Sequence, residues 1–377
     1  MPKSVFTDSV KKTATRGRSA KPSLLRFLLV GTASLLTIAR SFNATNVSSW
    51  KWLPDGRTLS MLDIESLASP TFPQAIDKSS KIKIIGFADS RYRDIAMTWY
   101  QRLSNLGYNE HTIITTDQLG ADFFAHNVSS YRFEKMIVKI TEGESHMRVS
   151  GKLRRERERM FAMRWHYILS QLEQGISVVL TDMDNIFNRH VNLSEFLEYD
   201  VIHAYEKTYP QNVFEKQGFV VCGGMSFIKS SPAAIRFVKL IVDGCGTFCD
   251  DQVVLNNLLL TLNITWDNTD HLPPPENRTS ESILPKQSMT GIASATGHTV
   301  KVWSRDFAFR GDMYPEECPV DNWVSMPWPV QPRGISWTRQ NIHVYKHRMF
   351  QQWDDHCGRI SNQTATDKPM TPTALSG

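Results

Sequence analysis

The apolar, β-branched run Val178-Val179-Leu180 closes on Thr181 and two carboxylates spaced two apart, Asp182 and Asp184. Such a run predicts a strand buried on both faces, as in a parallel sheet covered by helices. Strand side chains alternate, so the two acids are expected to point the same way at the carboxyl end, where α/β sheets bind ligands. Two hard oxygen donors there suit Mg²⁺ or Mn²⁺ carrying a phosphorylated ligand. The competing reading is a pair of solvated acids beside a turn.

Asp250-Asp251-Gln252 precedes a helical run, so one aspartate serves as its N-cap and the other acid and Gln252 remain for a polar site. The glycines of Cys222-Gly223-Gly224 interrupt a strand-like stretch, which marks a bulge, tight packing or close approach of backbone to a ligand. Near the carboxyl end, His343 is a candidate metal ligand, and Lys346 or Arg348 a phosphate partner. The basic run 152–159 is laced with Glu156 and Glu158 at helical spacing and reads as a solvated helix start. Five of the ten tryptophans fall after residue 300 (Trp303, Trp323, Trp328, Trp337, Trp353), to stack on sugar rings or to fill a core.

These groups need a frame, and strand and helix patterns alternate from residue 81 onward. Strands are expected over 81–88, 111–116, 176–181, 200–205 and 218–228. Helices are expected over 91–106, 152–174, 232–242 and 252–260. The alternation predicts one α/β domain with a mostly parallel sheet. Residues 1–22 carry a net charge of +5, equal to that of the whole 377-residue protein, so the remainder is neutral and no nucleic-acid partner is indicated. The segment 23–40 behind this tail is short and Leu-rich, the pattern of a single-pass anchor with a cytosolic amino terminus. A cleaved signal peptide and a plastid-type transit region are its competitors. Sequons at Asn43, Asn46, Asn127, Asn192, Asn263, Asn277 and Asn362 all lie downstream, which favours passage through the endoplasmic reticulum. The five cysteines do too, and allow two disulfides and one free thiol in an oxidising lumen, with Cys245 and Cys249 as a loop staple or two unrelated core cysteines. The organisation expected is a tail (1–22), an anchor (23–40), a lumenal stem (41–80), a catalytic domain (81–358) and a flexible end (359–377).

In this order and spacing the motifs resemble the nucleotide-diphospho-sugar transferases grouped as glycosyltransferase family 77. The resemblance rests on Val178 to Asp184, Asp200-Val201-Ile202, Gly223-Gly224-Met225, Asp250-Asp251-Gln252 and the late His343. It implies a Rossmann-like GT-A fold, a type II Golgi membrane protein, and a retaining, metal-dependent transferase acting on a sugar nucleotide and a glycan or glycoprotein acceptor. By the same resemblance, Asp182, Asp184 and His343 bind Mn²⁺ or Mg²⁺; Asp184, nearest the strand's end, is expected to be the primary ligand. Thr181, Asp182, Phe87, Gly223, Gly224 and Lys346 contact the sugar nucleotide, and Asp250, Asp251 and Gln252 form the catalytic region. The chain departs from the family at Cys222-Gly223-Gly224, where members usually carry an aromatic or aliphatic residue and Asn-Ser-Gly. The rival enzyme class is a haloacid dehalogenase-type phosphatase with Asp182 as nucleophile and Asp184 as general acid. A non-catalytic Golgi carbohydrate-binding protein is the third reading.

Overall fold

β1 (Ile82–Ala88) and β4 (Ser177–Thr181) lie side by side and parallel, with Ile84 opposite Val179 and Gly86 opposite Thr181. Their alternate residues enter different cores: Ile84 and Val179 pack on one face of the sheet, Ile85, Val178 and Leu180 on the other. A strand apolar at every position therefore has a helix layer on each side. The computed structural model describes residues 81–128, 132–136, 149–272, 274, 287–312, 315, 318–319, 321–328 and 342–366. The expected tail, anchor and stem, the sequons Asn43, Asn46 and Asn277, and Trp337 lie outside these residues. No helix among the described residues is long and apolar enough to cross a membrane.

The remaining elements are α1 (Arg93–Asn105), β2 (His111–Thr115), α2 (Gln118–Asn127), β3 (Phe133–Lys135), α3 (Val149–Glu173), β5 (Ile186–Phe187), β6 (Val201–Glu206), α4 (Gln211–Gln217), β7 (Val220–Ile228), α5 (Pro232–Cys245) and α6 (Asp251–Thr261). After them come β8 (Ile264–Asp267), β9 (Met289–Ala293), β10 (Thr299–Val302), β11 (Ala308–Asp312), β12 (Val324–Trp328) and α7 (Ile342–Thr366). Nine strands form one sheet in the order β3-β2-β1-β4-β7-β6-β10-β9-β8, and β11-β12-β5 form a small second sheet. The helix expected over 152–174 is α3, closed by Gly175 at φ +82°. That positive φ suits glycine, which carries no Cβ penalty there.

The expectation of a mostly parallel sheet is corrected. Four of its eight neighbouring pairs are parallel and four antiparallel, so the architecture is mixed α/β with one large central sheet. The reversal begins at β7, which runs against both β4 and β6. Short α4 stays at the sheet's carboxyl edge and hands the chain back at Val220, opposite Glu206. Residue 218, expected to open the strand, is instead the left-handed cap of α4 (φ +84°). The catalytic domain was expected to end at residue 358, which falls inside α7.

Cys245 pairs with Cys249 at the end of α5, and Cys318 with Cys357 on α7, leaving Cys222 as a buried free thiol. Trp303, Trp323 and Trp353 are buried, so core filling accounts for three of the late tryptophans. The basic run is only partly solvated. Arg154 pairs with Glu158 as expected, whereas Arg159 is buried and stacks on Phe248, 5.0 Å from the ring centroid.

Three fully buried histidines make the core acid-sensitive. Desolvation lowers His203 to about 3, His298 to about 4 and His111 to about 4, with neighbouring positive charge adding to the effect at His111. A folded-state value depressed below the unfolded one favours the neutral ring, so stability is full above about pH 6.5 and falls as the unfolded chain gains protons. Between pH 7 and pH 5 each histidine should cost on the order of 2 kcal/mol. Urea unfolding midpoints measured across this range should drop steeply, and a flat profile would refute the assignment.

Candidate active site

β4 ends at Thr181 and the chain turns at once, with the Asn185 backbone N–H donating to the Asp182 carbonyl at 3.2 Å. The Asn185 side-chain amide donates to Thr181 Oγ1 (2.9 Å) and to the Gly224 carbonyl (3.0 Å), which locks the turn against β7. Strand alternation therefore stops before the second acid, and the expectation that Asp182 and Asp184 share a face is corrected. Asp182 turns toward α3 and Asp184 toward α7. Between them Met183 enters the core and covers Gly86, where a Cβ would lie 2.7 Å from its Cε.

Gly224 shows why β7 carries two glycines. A Cβ at that position would stand 2.0 Å from Asp182 Oδ2, so only glycine leaves room for the carboxylate. The neighbouring Gly223 lies against Gln252: its N–H donates to Gln252 Oε1 at 2.6 Å. The Gln252 amide donates in turn to the carbonyls of Val221 (2.8 Å) and Tyr209 (3.0 Å). Gln252 thus fixes the backbone beneath Asp182.

Arg164 of α3 joins these pieces. Fully buried among apolar neighbours, its guanidinium donates to Asp251 Oδ2 (2.5 Å), to the Gly223 carbonyl (2.8 Å) and to Asp182 Oδ1 (3.3 Å). Trp165 Nε1 donates to the same Asp251 oxygen at 3.1 Å. Burial pushes Asp251 up from the usual carboxylate range, with Arg164 opposing. Asp250 takes the other role open to the pair: it N-caps α6 and accepts from the Tyr209 hydroxyl at 3.0 Å.

Asp184 accepts from Lys346 Nζ at 2.7 Å, and both side chains are largely buried (15% and 19% exposed). Burial raises Asp184, but the ammonium outweighs it and the net direction is down, while Lys346 is held well above its ordinary value. Asp182 moves the other way: desolvation and the Asp184 charge raise it against the pull of Arg164. Its side chain keeps 48% exposure, so the carboxylate still meets solvent. Tyr92 and the Glu206–Arg310 ion pair border the turn, the tyrosine ring lying 5.7 Å from Lys346 Nζ. Phe87 packs edge-on to Tyr167 near the end of β1. His343 is half-buried on α7, three residues before Lys346.

Counted formally, Asp182, Asp184, Glu206 and Asp251 outnumber Arg164, Arg310 and Lys346 by one. Two oxygen donors in a field short of one positive charge fit a hard divalent cation. Among the described residues, however, no three His, Cys, Asp or Glu side chains gather as they do around a metal ion. The structure brings Asp182, Asp184, Gly223, Gly224, Gln252, Asp251 and Lys346 together, and leaves His343 without a described contact to either aspartate. Arg164, Tyr92, Tyr209 and Arg310 are additions to the expected set. Arg164 did leave a sequence signal, an arginine four residues before Ile168 on the apolar face of α3.

A strand-end acidic turn braced by buried cations, on a mixed α/β sheet, defines a candidate site for a phosphorylated ligand. Residues 112–301, half of the chain, match the model of the nucleotide-diphospho-sugar transferase family, and the chain belongs to that family. It is a transferase of the glycosyltransferase kind. No curated protein matches it in sequence. Among solved structures, the galactosyltransferase LgtC in complex with donor and acceptor sugar analogues is similar at 12% identity, TM-score 0.37, over 73% of this chain and 96% of that one. The glycosyltransferase GlyE in Streptococcus pneumoniae TIGR4 gives 9% identity and a TM-score of 0.36, over 75% and 64%.

Gly224→Ala isolates the donor side of the site. The added methyl must displace the Asp182 carboxylate while removing no apolar contact, so the fold should persist and cation-dependent nucleotide binding should weaken at least about tenfold. Titration calorimetry with a sugar nucleotide and Mn²⁺ measures this, and unchanged affinity would show that Asp182 does not face the ligand.

Proposed function

We propose that this chain moves a sugar from a nucleotide-diphosphate donor to a hydroxyl group of a glycan or glycoprotein, at the crevice floored by Asp182 and Asp184. The observation that carries the reading is the pairing of these two acids with separate buried cations, Arg164 and Lys346, at the end of β4 within the family-matched segment. In the transfer, the bond from the anomeric carbon to the diphosphate breaks, a bond to the acceptor oxygen forms, and the hydroxyl proton passes to the departing diphosphate. Negative charge grows on the diphosphate, and preorganised positive groups in a site shielded from water are what stabilise it. Lys346, rigidly held, supplies one such charge, and Arg164 keeps Asp182 and the β7 backbone in place.

Asp182 and Asp184 are the residues that would hold Mn²⁺ or Mg²⁺, with His343 kept as a third ligand by the family resemblance alone; when bound, the ion would add Lewis-acid neutralisation of the diphosphate oxygens. Retention of anomeric configuration belongs to this reading through the family resemblance alone. Asp251, by contrast, is a positioning residue in this account, its carboxylate being filled by Arg164 and Trp165. The family match favours the transferase over the phosphatase and the non-catalytic alternatives; β1, β2 and β3 also precede β4, whereas such a phosphatase usually opens its domain with the nucleophile strand.

The test is a panel of sugar nucleotides with Mn²⁺, read by nucleotide release and by affinity. Asp184 is not surface-facing, so truncation to alanine would leave Lys346 buried and unpaired and confound stability with function. Asp184→Asn keeps the shape and a hydrogen-bonding partner. It should lower turnover by at least about a hundredfold, since it removes a charged group from the centre of charge stabilisation. Wild-type turnover in this variant, or phosphomonoester hydrolysis without any sugar donor, would overturn the reading.

A Golgi membrane location with a lumenal domain is part of the same proposal. Asn127, Asn192 and Asn263 are exposed and available to carry glycans. In a secretory cell the protein should shift in gel mobility on endoglycosidase treatment, and absence of any shift would remove it from that compartment.

A further inference from the structure

Trp328 stands apart from the buried tryptophans. It closes β12, a strand that runs antiparallel to β5 with Val324 opposite Phe187 and Ser325 opposite Ile186, so its last residues pass back along the Asp182–Asp184 turn. The indole is half-buried, and two cations lie near it: Lys207 Nζ 4.8 Å, and the Arg310 guanidinium 5.8 Å, from a ring centroid. Arg310 is committed elsewhere, donating to Glu206 Oε1 (3.2 Å) and to the Met326 carbonyl (3.3 Å), with a 2.9 Å contact to Glu206 Oε2. Lys207 is not. It is exposed, directly follows β6 at the carboxyl edge, and among the described residues its ammonium meets the ring and no carboxylate.

An aromatic face at the rim of a sugar-handling crevice offers the apolar surface on which a pyranose C–H face packs. An exposed lysine resting on a ring is held by only about 0.5–1 kcal/mol, so a ligand carboxylate readily recruits it. We propose that Trp328 and Lys207 form the acceptor subsite, Trp328 stacking the acceptor sugar and Lys207 pairing with its carboxylate, which makes the acceptor an acidic glycan containing a uronic acid. This rests on the transferase reading above. Trp328 places the sugar beside Asp184, while Lys207 sets the preference for charge. The two tasks fall to different residues, and that is what makes the assignment testable.

The probe is an oligogalacturonide and the same oligomer methyl-esterified, which keeps the ring and removes the charge, titrated calorimetrically into the full-length chain. The wild-type protein should bind the acid form about fivefold tighter than the ester, the scale of one solvent-exposed ion pair. Lys207→Gln should bring that ratio close to one, and Lys207→Arg should restore it. Trp328→Ala should weaken both forms, with Trp328→Phe recovering part of the loss. Equal affinity of the wild-type protein for acid and ester, a ratio retained in Lys207→Gln, or no binding of either form would overturn the subsite. Because no donor is present, these outcomes are separate from the sugar-nucleotide panel: loss of donor turnover with this ratio intact would overturn the transferase and leave an acidic-glycan site.

Discussion

Everything at the crevice depends on one buried guanidinium. Arg164 reaches from the middle of α3 to two carboxylates and a backbone carbonyl, and each contact belongs to a different segment: Asp251 to the start of α6, Asp182 to the end of β4, and Gly223 to β7. A fully buried arginine is tolerable only when its donors are met, because an unpaired charge in the interior costs several kcal/mol. The requirement works in both directions. Arg164 fixes where the three segments meet, and the segments must meet there for Arg164 to be buried. Trp165 adds a further donor to Asp251, so the carboxylate is crowded as well as paired.

The two acids of the turn are thereby given different partners from different helices. Asp182 is raised by desolvation and kept half open to solvent, whereas Asp184 is lowered by Lys346 and enclosed. Neighbouring carboxylates with environments that push them apart are a familiar arrangement in sites built to receive positive charge or hold a proton. Here the asymmetry comes from the turn itself. Had β4 continued for three more residues, both acids would have faced α3 and competed for the one arginine.

Much of this was legible in the sequence. The buried strands, the long helix closed by Gly175, the strand-end position of the two acids and an N-cap within the Asp250-Asp251 pair all follow from local patterns. The direction of β7 was not legible, because a strand buried on both faces reads as an unbroken apolar run whichever way its neighbours point. The short strands β8 to β12 were also missed, since four or five residues with mixed burial leave little periodic signal. For the site, the glycine pair correctly signalled a close approach, but to Asp182 and Gln252 within the chain. The pairing of Lys346 with Asp184 rests on contacts between elements far apart in sequence, and residue spacing carries no information on it.

That distance matters for how the protein is made. Lys346 leaves the ribosome about 160 residues after Asp184, which at typical elongation rates of about 5–20 residues per second is a gap of roughly ten to thirty seconds. During it β1, β4 and α3 can already be packed, while Asp184 faces an open cleft with no cation from α7. Closure then requires α7 to dock through Met349, Phe350 and Trp353, the Arg102–Asp354 contact and the bond between Cys357 and Cys318. The order of synthesis therefore leaves Asp184 without its cation until α7 has emerged. In an oxidising compartment the last disulfide records that the crevice has been finished.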